Sequence, residues 1–144
     1  MPKKIVVTYG TFDLFHIGHL RLLERAKQYA DTLIVFVSSN EFNQQKGKQC
    51  LFPYEQRAEI IAACRYVDKV FPEHCWEQKI TDIKKLGAST FVMGDDWQGE
   101  FDFLKPYCDV VYLPRTSCVS STHIKRSMRL IANFNKSIEA TYAE

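Results

Sequence analysis

Apolar and polar positions along this chain follow two periods in turn. Short runs dominated by β-branched and aromatic residues, near 4 to 9, 32 to 38, 68 to 71, 90 to 93 and 109 to 113, predict five strands. Between them lie stretches with an apolar repeat of three or four residues, which predict helices over 17 to 30, 54 to 65, 76 to 86 and 121 to 134, and a short one near 99 to 105. In the first of these Leu20, Leu23, Ala26 and Ala30 make one apolar face, while Arg21, Glu24, Arg25 and Gln28 fall elsewhere. Strands alternating with helices predict an α/β fold, a doubly wound parallel sheet covered on both faces. Its crossovers should be right-handed, and ligands should gather beyond the carboxyl ends of the strands. After residue 134 the periodicity fades, so a domain over 1–134 with a C-terminal tail over 135–144, frayed or in a subunit contact, is expected.

One connection departs from this rhythm. From Ser39 to Pro53 the chain is polar for fifteen residues, longer than a compact domain tolerates without a purpose, and it carries Lys46 and Lys48 on either side of a glycine. A mobile lid over anionic substrates fits that pattern.

The length, 144 residues, allows one sizeable core. A formal net charge of +2 is too small to indicate a nucleic acid partner, so each lysine and arginine has to be weighed singly. No apolar run reaches the length of a membrane span, and MPKKIVVTYG leads into a site motif rather than a signal cleavage site; a cytoplasmic protein with no membrane partner is expected. The five cysteines include no CxxC pair, which argues for reduced, packing thiols.

The candidate chemistry begins where the first strand ends. YGTFDLFHIGHLRLLERAK, residues 9 to 27, sets Gly10 at a tight turn, Gly18 where backbone can approach a ligand, and His16 and His19 at the mouth of an amphipathic helix. Free amides and the macrodipole favour an anion there. His16 and His19 have no third ligand at suitable spacing, so no metal site is expected. Other candidates also follow strands: Gly94 to Trp97 the fourth, and Pro114 to Ser121 the fifth.

The block YGTFDLFHIGH resembles the HxGH signature of the cytidylyltransferase-like nucleotidyltransferases. LLERAK, EFNQQKGK, RYVDKV, WEQK, FVMGDDW, FDFLK and VVYLPRT with SSTHIK extend the resemblance in order over nearly the whole chain. It implies a Rossmann-like nucleotidyltransferase fold. It further implies CTP and sn-glycerol 3-phosphate as substrates, CDP-glycerol and pyrophosphate as products, Mg2+ accompanying CTP, a homodimer, and a role in teichoic acid or another surface polymer. Tyr66, Val67 and Val70 supply apolar residues for the subunit contact.

By the same resemblance His16 and His19 bond the triphosphate and stabilise the transition state, with Lys46 and Arg115 beside them as catalytic groups. Thr11 and Phe12 act through backbone amides, and Asp13 orients groups at the nucleotide or merely caps a helix. Lys48, Thr116, Ser120, Ser121 and Thr122 meet CTP phosphates, and Arg65, Asp96 and Trp97 surround the cytosine and ribose. Lys46 and Lys79 hold the acceptor. The segment departs from the family's RTxGISTT at Cys118, which stands for a glycine, and at Ser121, which stands for a threonine. An exposed helical lysine is the plain alternative for Lys79, and a loop-tying ion pair the plain alternative for Arg65 and the aspartates. A sister transferase taking another phosphorylated polyol, phosphocholine, phosphoethanolamine or a heptose phosphate, or using ATP, remains open. So does a nucleotide sensor without turnover.

Overall fold

Strand β1 (Ile5–Gly10) forms the middle of an all-parallel sheet whose strand order is β3-β2-β1-β4-β5. A computed structural model describes residues 3–115 and 120–142. The remaining strands are β2 (Thr32–Ser38), β3 (Lys69–Glu73), β4 (Thr90–Gly94) and β5 (Asp109–Leu113). The helices are α1 (Ile17–Lys27), α2 (Asn40–Gln45), α3 (Tyr54–Ala62), α4 (Gln78–Leu86) and α5 (Ser121–Tyr142), with 3-10 turns at Asp95–Trp97 and Asp102–Leu104. Five parallel strands with interleaved helices are the expected doubly wound α/β architecture.

Side-chain alternation along the strands divides the core between the two sheet faces. Val6, Leu33, Val35, Val37 and Val92 point to one face and meet Leu23 and Ala26 of α1 and Ile61 of α3. Val7, Ile34, Phe36, Phe91 and Met93 point to the other and meet Ile83 of α4 together with Phe101 and Leu104. Leu22, more than Leu20, completes the face of α1 that packs on the sheet, and Ala30, beyond the end of α1, packs on the same cluster. Each fully buried aliphatic side chain contributes about 1.5–3 kcal/mol, so the two clusters stabilise the sheet from both sides. Proline is tolerated at Pro72 because β3 is an edge strand, bonded to β2 alone.

Two elements differ from the expected pattern. The polar stretch after β2 contains a helix, α2, which Ser39 caps by accepting from the Phe42 amide at 3.1 Å. Six residues are too few to display a helical period, and of them only Phe42 and Asn43 are buried. Helix α5 does not stop at 134; it continues to Tyr142 because the sequence after Ser121 has no glycine or proline to end it.

Candidate active site

Between β1 and β4 the crossovers leave the sheet in opposite directions, and a cleft of about 680 Å³ opens beyond the strand ends. His16, His19, Lys46, Lys48 and Lys79 all line it. So do Thr11, Phe12, Asp13, Asp96, Trp97, Arg115, Ser120, Ser121 and Thr122. Residues spread from 9 to 129 in sequence thus converge on one surface.

The histidine pair is built into the start of α1. His16 is the N-cap, extended at φ −141° and ψ 179°, and its Nδ1 accepts from the Gly18 amide at 3.0 Å. His19 returns the favour, its Nδ1 accepting from the His16 amide at 3.3 Å. The result is a capping box made of imidazoles. With both Nδ1 atoms accepting, each neutral ring carries its proton on Nε2. The rings stack at 3.9 Å between centroids, and Phe12 and Phe15 lie against His19 at 5.4 and 5.7 Å. Burial and the neighbouring His16 push the His19 pKa down to about 3, while burial and then Arg115 lower that of His16. The site holds neutral Nε2–H donors.

The turn that delivers them is strained. Phe12 and Leu14 have φ of 54° and 49°, a region costly for residues with a Cβ. Gly10 serves this turn in a way the sequence did not suggest: a Cβ there would lie 2.8 Å from the Phe12 ring, so the glycine makes room for an aromatic side chain.

Asp13 is not a helix cap, since His16 fills that role. Its buried carboxylate accepts from the amides of Leu51 at 2.8 Å and Phe52 at 3.1 Å, and pairs with Lys125 at 2.7 Å. Burial alone would raise its pKa; the bonds from Lys125 and the two amides outweigh it and hold the carboxyl below its ordinary value. Lys125 also donates to the Gln49 carbonyl at 2.9 Å, and the Ser121 hydroxyl to the Asp13 carbonyl at 2.5 Å. One clasp therefore joins the β1–α1 turn, the 39–53 connection and α5.

The 39–53 connection is anchored at its other side by Arg57, which is fully buried. Its guanidinium donates to the carbonyls of Phe52, Thr11 and Ser38 at 2.8–2.9 Å and to Asn40 Oδ1 at 3.1 Å. What remains between α2 and Leu51 carries the two lysines around Gly47, at φ 71°. Lys46 Nζ sits 4.3 Å from the Phe42 ring centroid and 5.4 Å from that of Trp76. Burial and the nearby Lys48 lower its pKa to about 8.

At α5 the Ser120 hydroxyl accepts from the His123 amide at 3.0 Å, a plain cap at the cleft's edge. Thr122, Lys125, Arg126 and Arg129 follow at helical spacing and all face the cleft. Arg115 reaches Asp96 at 3.3 Å, an exposed pair of little energetic weight. At the far end Lys79 is buried, which sets aside the alternative of an exposed helical lysine, and it pairs with Glu73 at 2.6 Å.

One expectation is not met at the cleft. Arg65 lines a separate shallow hollow with Phe15, Leu20, Ile60, Ala63, Cys64 and Tyr66, away from the cytosine and ribose positions assigned to it. An arginine just beyond the end of α3 points away from the strand ends, which its motif alone does not disclose. Thr116 and Cys118 lie outside the described residues. Sequence reasoning passed over Arg57, Glu73, Arg126 and Arg129. The last two were accessible from the period of α5 counted forward from Thr122; Arg57 and Glu73 carry no local signal.

A family model described as Cytidylyltransferase-like matches residues 7–127. The chain is 58% identical to a glycerol-3-phosphate cytidylyltransferase of Bacillus spizizenii, over 87% of this chain and 97% of the relative. It is 52% identical to one of Staphylococcus aureus, over 87% and 95% of the two chains. Among solved structures it is similar to a lipopolysaccharide core biosynthesis protein of Thermoplasma volcanium, at a TM-score of 0.68 and 20% identity, covering 81% of this chain and 100% of that one, a likeness of fold. By the span of the family model over residues 7–127, and by its identity to these two relatives over most of their length, the chain belongs to the cytidylyltransferase-like family.

Proposed function

We propose that the chain transfers CMP from CTP to sn-glycerol 3-phosphate. An oxygen of the acceptor phosphate attacks the α-phosphorus, the bond to the β-phosphate oxygen breaks, and CDP-glycerol and pyrophosphate result. The observation that carries this reading is the imidazole capping box, which presents two neutral Nε2–H donors in a cleft rimmed by Lys46, Lys48, Arg115, Arg126 and Arg129. Nothing in such a transfer needs a covalent nucleophile; it needs anions brought in line and charge neutralised as it moves to the leaving group. His16 and His19 are suited to donate to the phosphoryl oxygens, Lys46 to lie between acceptor phosphate and α-phosphate, and Lys48, Arg115 and the start of α5 to receive the leaving pyrophosphate. Identity to glycerol-3-phosphate cytidylyltransferases over most of their length supports the choice of acceptor.

Among the described residues no three His, Cys, Asp or Glu side chains are grouped to hold a metal ion, and the carboxylate of Asp13 is taken by Lys125 and two amides. The donor set does not fit a resident magnesium, and we propose that Mg2+ arrives as the counter-ion of CTP. Among the described residues no helix is long and apolar enough to cross a membrane. Work on soluble substrates in the cytoplasm, feeding teichoic acid or another surface polymer, is part of this reading. So is a homodimer. Tyr66, Val67 and Val70 pack largely against the chain's own core, whereas α5 exposes Met128, Leu130, Ile131, Phe134 and Ile138, and that apolar stripe supports a second copy as partner.

Pyrophosphate release is to be measured with Mg2+, each nucleoside triphosphate and each candidate acceptor, with the product identified by mass. CDP-glycerol from CTP, dependent on glycerol 3-phosphate, is the expected result. Release requiring another acceptor would move the chain to a sister transferase, and nucleotide binding without release would make it a sensor.

A further inference from the structure

The cation at the acceptor end of the cleft is enclosed by aromatic rings. Lys79 Nζ lies 4.8 Å from the ring centroid of Tyr9, 4.6 Å from that of Trp76 and 5.3 Å from that of Phe101, with the Glu73 carboxylate at 2.6 Å. Three π-faces and one carboxylate around a positive nitrogen are the arrangement that recognises substituted ammonium ligands. Here the chain fills it with its own side chain. The box is stiff: the Tyr9 hydroxyl donates to Asp82 at 2.9 Å, and Trp76 is braced by Phe42 at 5.3 Å and Trp97 at 5.7 Å. Its members Tyr9, Glu73, Trp76, Lys79 and Phe101 all line the cleft, and Trp76 is also the ring beside Lys46.

We infer that Lys79 is a built-in ammonium that occupies this box, so the site accepts neutral polyol phosphates and rejects phosphorylated amino alcohols. The inference rests on the proposed transfer to a phosphorylated alcohol and names what selects among such alcohols. With phosphate at Lys46, the other end of an acceptor lies toward Trp76 and the Glu73–Lys79 pair. A hydroxylated end can share that pair's hydrogen-bonding capacity. A cationic end finds the aromatic faces taken and meets a like charge at close range, which is discrimination by repulsion as well as by attraction.

The test compares kcat/KM for glycerol 3-phosphate and phosphoethanolamine, both with CTP, in the unaltered protein and in Lys79→Ala, which empties the box and leaves Glu73 to attract a cation. The preference for glycerol 3-phosphate should shrink by at least about 100-fold in the variant, with kcat/KM for phosphoethanolamine itself rising. A preference that is unchanged, or that falls only through lost turnover of glycerol 3-phosphate, overturns the inference. In the unaltered protein, phosphoethanolamine in about 100-fold excess should not compete with glycerol 3-phosphate; competition overturns the inference whether or not the variant folds. No turnover of glycerol 3-phosphate by the unaltered protein refutes the proposed function instead. The box is then judged by calorimetry, where retention of phosphoethanolamine by Lys79→Ala but not by the unaltered protein is required.

Discussion

At His16 the nitrogen that starts helix α1 also determines where the ring's proton sits. Asparagine is a strong N-cap, able to accept from the same amide, so His16→Asn should keep the cap and lose the donor. Its thermal melt should indicate a cost below about 1 kcal/mol, while pyrophosphate release falls by at least about 100-fold. Lys46 gives a second prediction. With its pKa lowered to about 8, the charge it brings to the acceptor phosphate is lost as pH rises through that value. The profile of kcat/KM should show a basic limb near pH 8, and Lys46→Arg, charged throughout, should move that limb upward. For His19 the sign runs toward acid. The unfolded ring takes a proton below about pH 6.5, the folded ring not until about 3, so the unfolded state binds more protons and stability falls on acidification between the two. Melting temperature should drop from pH 7 toward pH 4, and His19→Gln, which can still complete a capping box, should flatten the decline above pH 5.

Among the elements, the 39–53 connection and α5 owe their positions to side chains far from them in sequence. Asp13→Asn weakens its pairing with Lys125 and its hold on the Leu51 and Phe52 amides; a loss of about 1–3 kcal/mol is expected in denaturant titration. Faster proteolysis within the stretch from Lys46 to Leu51 should accompany it, since Gln49 would no longer be held through Lys125. That dependence explains what the sequence could and could not disclose. The five strands and α1 were legible because their apolar positions repeat at the periods that burial against a sheet demands. Helix α2 was illegible, for its six residues are held by a serine cap and by Arg57, a partner seventeen positions from Asn40 in sequence. The His16–His19 turn could be read because it is local. The clasp at Asp13 could not, since a single aspartate says nothing of amides 38 and 39 residues away.

For the whole molecule, the exposed stripe on α5 makes self-association the testable property. If the proposed pairing through α5 holds, the unaltered protein should have a dimer's mass by light scattering and Phe134→Glu a monomer's, with the melting temperature within a few degrees at low protein concentration; a monomer's mass for the unaltered protein overturns the pairing, and a dimer's mass for the variant places the contact elsewhere. The division of the core bears on more than stability. His16 and His19 stand over the sheet face that packs α1 and α3, while Tyr9, Phe101 and the box around Lys79 stand over the face that packs α4. On the roles proposed above, nucleotide activation and alcohol choice fall on opposite sides of one sheet. A substitution in α4 or at the end of β3 that alters the alcohol taken would therefore leave the His16–His19 turn, on the opposite face, untouched.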